Sequence, residues 1–225
     1  MNTIKVNGLQ CDVERGARPE ICYILAFSPI DEGWMQQTAM RYGCSLAVIS
    51  GMDWNNDLSP WQSGGVSPEA PPFMGDAGRF LYALRQSVIP AVESYIGLQV
   101  EPRRTVIGVS MSGLFALWAW LSDDLFDDIG SVSGSMWYDG FAAWVEAQPV
   151  EKKRGKVFLS LGKEEARSGG TFGSVYDNTV AIAEYLRSHG IAVDFVTGPG
   201  NHFAPIYPRL DAAMHSLFSA EPPRE

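Results

Sequence analysis

Cysteine, positive charge and long apolar runs are all in short supply in this chain of 225 residues. Its three cysteines, Cys11, Cys22 and Cys44, are an odd number with no C-x-x-C spacing. That excludes a disulfide framework and a zinc-ligand set, and leaves free, buried thiols in a reducing compartment as the expectation. Lys and Arg total 17 against 26 Asp and Glu, for a net charge of −9 and a pI of about 4.8. A partner built on a phosphate backbone needs a basic stripe, so nucleic acid is excluded as a ligand. The short run EKKR at 151–154 reads as a solvated loop. The longest apolar stretch contains Ser110 and Ser112 and is too short to span a bilayer. The first residues, MNTIKVNGLQCDVERG, carry acidic groups where a signal peptide needs an apolar centre. A cytoplasmic protein without membrane contact is therefore expected. Internal repeats and low-complexity linkers are also missing.

What the chain does have is core material. It is 46% hydrophobic and 12% aromatic, enough for one large domain over residues 1–220, with 221–225 as a frayed tail. Short β-branched runs at 21–27, 44–50, 105–109, 128 onward, 156–162 and 192–198 read as strands. Between them lie helical patterns at 34–43, 78–97 (interrupted at Pro90), 112–123, 175–190 and 205–220. Alternation of this kind predicts an α/β fold, a mostly parallel sheet with helices on both faces and its ligand site at the carboxyl ends of the strands. A long irregular piece over 51–76, rich in Gly, Pro and Trp, reads as a functional loop.

The stretch RTVIGVSMSGLFALWAWL, residues 104–121, passes from a strand through Gly108-Val109-Ser110-Met111-Ser112-Gly113 into an apolar helix. A nucleophile elbow needs small residues two places before and two places after its serine, because the turn leaves no room for side chains. Gly108 and Ser112 meet that need for Ser110, whereas centring the elbow on Ser112 would put Leu114 at a position that must be small. Ser110 is thus the candidate nucleophile. Of three histidines, His189 falls at a helix end and His215 inside a helix, while His202 follows a strand and the turn GPGN. His202 is the candidate base. The acid should lie at another strand end. Lys163-Glu164-Glu165 supplies Glu164 or Glu165, with Asp194, inside a strand, as a weaker choice. The order Ser, acid, His is that of α/β-hydrolases. An oxyanion site is expected from the backbone N–H of Met111 and one from AFSPIDEGW, where Pro29 has no N–H and Ser28 is favoured over Ile30.

These segments together resemble the putative esterase (esterase D-like) family of α/β-hydrolases, and within it the enterochelin-esterase or siderophore-trilactone-hydrolase branch. RTVIGVSMSGLFALWAWLSDDLF is similar to that branch's elbow and helix, SVSGSMWYDG to its next strand, FLSLGKEEARS to its acid segment and GPGNHFAP to its histidine loop. DLSPW and GDAGRFLYAL are similar to its substrate-side loop and the helix after it. The resemblance covers residues 20 to 218 and implies Glu165, three past the glycine of its segment, as the acid. Ser112, Gly134 and the AFSP loop depart from the family pattern. The resemblance implies a serine esterase working through a Ser-His-Glu triad or a Ser-His dyad, needing no cofactor or metal and acting on a small-molecule ester, with a ferric siderophore trilactone and simple acyl esters as the two substrate expectations. Trp54, Trp61, Trp137 and Tyr138 are expected to line an aromatic cleft, and Arg167 to meet an anionic group. An acyltransferase on the same fold, or a silent binding protein, are the alternative readings.

Overall fold

The computed structural model describes residues 2–98, 100–165 and 169–219. Arg167 and the tail 221–225 lie outside the described residues. Eight strands form one sheet in the order β1-β2-β4-β3-β7-β8-β9-β10. They are β1 (Asn2–Val6), β2 (Leu9–Glu14), β3 (Glu20–Leu25), β4 (Ser45–Ser50), β7 (Arg103–Val109), β8 (Asp128–Val132), β9 (Lys156–Gly162) and β10 (Ala192–Gly198). From β4 to β10 every pairing is parallel, and the pairings β1–β2 and β2–β4 are antiparallel. The parallel strands match the expected runs to within two residues. The hairpin β1–β2 and the small pair β5 (Gln62–Ser63) and β6 (Phe73–Met74) were not anticipated. The hairpin's turn is Asn7-Gly8, both at positive φ (52° and 83°), the dipeptide that a two-residue turn between strands demands.

Side chains on a strand alternate between faces, and β3 divides accordingly. Ile21, Tyr23 and Leu25 join one core with the helices α2 (Ala77–Ala83), α3 (Ile89–Ile96), α4 (Met111–Ser122), α5 (Phe141–Glu146) and α6 (Val175–Ser188). Cys22, Ile24 and Ala26 join the other, beneath α1 (Glu32–Tyr42) and α7 (Tyr207–Phe218). All three cysteines are free and buried in these two cores. Among the described residues no helix is long and apolar enough to cross a membrane.

Two helices follow from particular residues. Pro90 has no N–H and its ring crowds the carbonyl four residues back. The chain meets this with a π-turn over Leu84–Val88 that joins α2 to α3, in which the Ile89 N–H reaches the Leu84 carbonyl. The expected interruption is thus a widening just before the proline. Helix α4 is apolar on nearly every side because it is buried on nearly every side, from Met111 to Leu117 without a break. It packs against β7 and β8 and fixes the strand-to-helix turn that precedes it. Replacing Phe115, fully buried in α4, should therefore be expensive: Phe115→Ala is expected to lower unfolding free energy by about 3–5 kcal/mol. Urea denaturation measures it, and a loss below about 1 kcal/mol would mean that α4 is not the packed centre of the domain.

Candidate active site

Because β3, β4, β7, β8, β9 and β10 run the same way, their carboxyl ends share one edge of the sheet. Ser110 follows β7 directly, Ser133 follows β8, Glu165 lies three residues past β9 and His202 four residues past β10. Residues from four successive strands of the sheet therefore converge at one edge.

Ser110 sits at φ 60°, ψ −123°, a region a side chain enters only at a cost of roughly 1–3 kcal/mol. Surrounding bonds hold it there. Its N–H donates to the Val132 carbonyl at 3.0 Å, and its carbonyl accepts from Gly113, Leu114 and Ser135 at 3.0–3.1 Å. Gly108 is compulsory, since a Cβ there would stand 2.0 Å from the Ser112 carbonyl oxygen. Ser112 fits this position, which the elbow requires to be small, because its side chain is used. Its Oγ accepts from the Val109 N–H at 2.8 Å and faces the carbonyls of Leu25 and Val109 at 2.8 and 2.9 Å. Ser112 is fully buried and serves as a clip between β3, β7 and α4.

The Ser110 Oγ lies 3.0 Å from His202 Nε2, and His202 Nδ1 lies 2.8 Å from Glu165 Oε2. A carboxylate only accepts, so Nδ1 carries the proton and Nε2 is left to accept from the serine hydroxyl. The structure thus brings together the three side chains that the sequence singled out. It also separates the two glutamates: Glu165 is buried at 4% exposure, whereas Glu164 faces solvent. Asp194 is exposed within β10. His189 and His215 sit at helix ends, their Nδ1 atoms bonded to the Tyr185 carbonyl and the Ser219 hydroxyl.

A buried carboxylate needs donors, and Glu165 has them. Oε1 accepts from the Gly162 N–H and the Ser133 hydroxyl, both at 2.7 Å, with Arg209 Nη1 at 3.4 Å. Burial pushes the Glu165 carboxyl up, but the bonds from His202, Gly162 and Ser133 outweigh it and hold the group below its ordinary value. Arg209, on α7, was not anticipated. It donates to Ser133 Oγ at 2.5 Å and to the Asn201 carbonyl, so one guanidinium ties the carboxylate's donor to the loop carrying His202. Nothing in the local pattern around Pro208-Arg209-Leu210 marks this arginine, because its partners are 8, 44 and 76 residues away. Ser133, at φ 47°, and Ser135, whose Oγ stands 3.4 Å from that of Ser110, were likewise missed.

Above Ser110 opens a cleft of about 440 Å³ lined by Trp54, Phe73, Trp137, Phe172 and His202, among others. Trp54 and Trp137 lie where an aromatic cleft was expected. Trp61 and Tyr138 do not line it. Tyr138 is buried, its hydroxyl donating to the Trp61 carbonyl at 2.6 Å, and Trp61 packs on Tyr138, Phe141 and Trp144 with its Nε1 bonded to the Asp139 carbonyl. These two rings form the wall behind the cleft because their polar tips find backbone partners there.

The family model for the putative esterases matches residues 28–202, a span that holds the elbow, the acid segment and the histidine. The chain belongs to that family. A curated relative, the uncharacterized protein YbbA of Bacillus subtilis (strain 168), is 32% identical over 125 residues, which cover 53% of this chain and 50% of YbbA. The match thus spans about half the length of that relative. Among solved structures, an IroE-like serine hydrolase from Shewanella oneidensis superposes with a TM-score of 0.75 at 19% identity, covering 93% of this chain and 75% of that one. The siderophore hydrolase EstB from Aspergillus nidulans gives 0.73 at 18% identity, covering 96% and 94%. At these identities the likeness is one of fold, and it bears out the α/β-hydrolase architecture.

The depressed carboxyl of Glu165 makes a stability prediction for this esterase-family chain. A carboxylate with a folded value below its unfolded one stabilises the fold above the ordinary value of 4.5 and loses that contribution as pH falls through the lower, folded value. Wild type should therefore exceed Glu165→Gln in Tm at neutral pH, with the gap narrowing only below about pH 4.5. Melting curves from pH 3 to 8 check this, and a constant gap would mean that the carboxylate's charge is not what the pocket holds.

Proposed function

We propose that the protein is a serine carboxylic-ester hydrolase working through an acyl-enzyme. The observation that carries this reading is the continuous chain Ser110 Oγ, His202 Nε2, His202 Nδ1, Glu165 Oε2, with links of 3.0 and 2.8 Å. His202 takes the Ser110 proton as Oγ bonds to the ester carbon, and the carbonyl electron pair moves onto oxygen. The N–H of Met111, at the start of α4, and that of Ser28, just past β3, are the donors assigned to that oxygen. Ala26 is excluded, since its N–H is spent on the Ile49 carbonyl at 3.0 Å. Collapse of the intermediate breaks the bond to the alkoxy oxygen, which takes the proton from His202 and leaves as an alcohol. Water then attacks the acyl-enzyme, gives its proton to His202 and releases the acid, restoring Ser110. Glu165 keeps the imidazole in the required tautomer and stabilises its cation; Arg209 and Ser133 position Glu165.

Family membership supports an ester as the substrate. A siderophore trilactone is the second, narrower reading, favoured by the fold shared with a protein named as a siderophore hydrolase and by the aromatic rings of the cleft.

A fluorophosphonate should label wild type on Ser110, as mapped by mass spectrometry, and should still label Ser112→Ala. Ser110→Ala and His202→Ala should each lower kcat/KM on an activated ester by about 10⁴-fold or more. A folded wild type that takes no label would end the serine reading. Arg209→Met should lower kcat more than it raises KM, while leaving the label on Ser110. Equal activity in Arg209→Met would remove its positioning role.

A further inference from the structure

Among the described residues, Ser110 borders a second cavity besides the cleft. The cleft of about 440 Å³ is lined by His202, Asn201 and Phe203 on the histidine side and by Trp137, Phe172, Phe73 and Val66 beyond. A second cavity, of about 200 Å³, is lined by Phe27, Ser28, Val109, Ser110, Ile206 and Tyr207 and does not include His202. Trp54 borders both and stands edge-on to Phe27, with ring centroids 5.4 Å apart. It is the one large side chain the two linings share, and we assign it as the partition.

The proton path assigns the two halves of an ester to the two spaces. The alkoxy oxygen must come within hydrogen-bond reach of His202 Nε2 to be protonated as it leaves, so the alcohol group extends into the space that His202 lines. The carbonyl oxygen is directed to the Met111 and Ser28 amides. The remaining substituent on the reacting carbon is the acyl chain, and the other space open to Ser110 is the smaller cavity beneath Phe27 and Trp54. We infer that the enzyme takes esters of a bulky, non-anionic, aromatic alcohol with a short acyl group, with Trp54 setting the acyl limit. The linings disfavour an anion: among the described residues that border either cavity there is no Lys or Arg, and a net charge of −9 opposes anionic substrates. Flat rings suit the larger space because Trp137 and Phe172 present a T-shaped aromatic corner, with centroids 5.2 Å apart. This inference rests on the serine-esterase reading, and it favours simple esters over a tricatecholate trilactone, whose acyl groups are bulky and whose iron complex is anionic.

The test is a pair of mirror-image esters with leaving groups of matched reactivity, naphthylmethyl acetate and methyl naphthylacetate. An acyl series on naphthylmethanol (acetate, butanoate, decanoate) accompanies them. Wild type should favour naphthylmethyl acetate over methyl naphthylacetate by about 100-fold in kcat/KM, and acetate or butanoate over decanoate by a similar factor. Trp54→Ala, shown to be folded by its melting curve, should shrink the butanoate-to-decanoate ratio by about tenfold or more. Equal or preferred turnover of methyl naphthylacetate, or faster hydrolysis of a catecholate trilactone than of naphthylmethyl acetate, overturns the assignment while leaving the serine reading intact. An unchanged chain-length ratio in folded Trp54→Ala overturns the partition. Absence of turnover on every ester together with an unlabelled Ser110 overturns both readings.

Discussion

A carboxylate withdrawn from water at 4% exposure has to be ringed by donors, and the surroundings of Glu165 are organised around that demand. Its four partners come from four places: the end of β9 (Gly162), the turn after β8 (Ser133), the loop after β10 (His202) and helix α7 (Arg209). No two of these are neighbours in sequence, so the carboxylate acts as a knot that ties three strand ends and one helix. Gly162 belongs to the knot through its lack of a side chain, since a Cβ there would lie 2.2 Å from the Gly200 carbonyl and 3.0 Å from Glu165 Oε1. Breaking one bond in such a network strands a charge instead of subtracting one contact. That is why Arg209, which does not itself line the cleft, is part of this network through Ser133, Glu165 and Asn201, which do.

The second constraint is steric and acts at the elbow. β7 and α4 approach so closely that Gly108 has no room for a methyl group, and Ser110 is forced to positive φ. Strain of this kind persists only where the rest of the structure over-determines it. Here the three donors to the Ser110 carbonyl and the buried length of α4 do so. The Ser112 clip shows how a serine can fill such a position: a hydroxyl that bonds to both β3 and β7 turns a position requiring smallness into one that adds cohesion.

How much of this was legible in the sequence depended on how local the signal was. The strands β3, β4, β7, β8 and β9 are short apolar runs largely buried on both faces, so composition alone exposed them. Strand β10, at the sheet edge with no buried residue, was read from its β-branched and aromatic residues between Gly190 and Pro199. The hairpin β1–β2 was hidden because its outer strand is half solvated and its apolar residues are sparse, although Asn7-Gly8 marked its turn. Helix α5, six residues with no side-chain cap, left little periodicity to read. The serine and histidine were visible because each needs a particular local backbone: a tight turn for Ser110, a loop after a strand for His202. Between Glu164 and Glu165 the residues alone gave no choice, and only the family pattern pointed to the one that proves buried. Ser133, Ser135 and Arg209 were invisible for the opposite reason. Their meaning lies in partners brought near by the sheet order, and no local pattern encodes that. Trp61 and Tyr138 misled because aromatic composition cannot distinguish a ring that lines a space from one that backs its wall.

The same sheet order bears on selectivity. In a parallel sheet the nucleophile's strand is central, and loops from strands on its two sides must cover it from opposite directions. Here β3 and β4 send Phe27, Ser28 and Trp54 from one side, while β8, β9 and β10 send Ser135, Glu165 and His202 from the other. Under the proposed mechanism, proton transfer would be confined to one flank of Ser110, leaving the opposite flank to hold the carbonyl oxygen and what is attached to its carbon. A site divided in this way distinguishes the two ends of an ester by geometry, with no charged side chain required to do so. The residue on the dividing line, Trp54, comes from the long irregular loop after β4, which lies outside the sheet. On the proposed assignment, variation in that loop would retune the acyl side without disturbing the knot around Glu165 or the turn at Ser110, because it shares no hydrogen bond with either among the described residues.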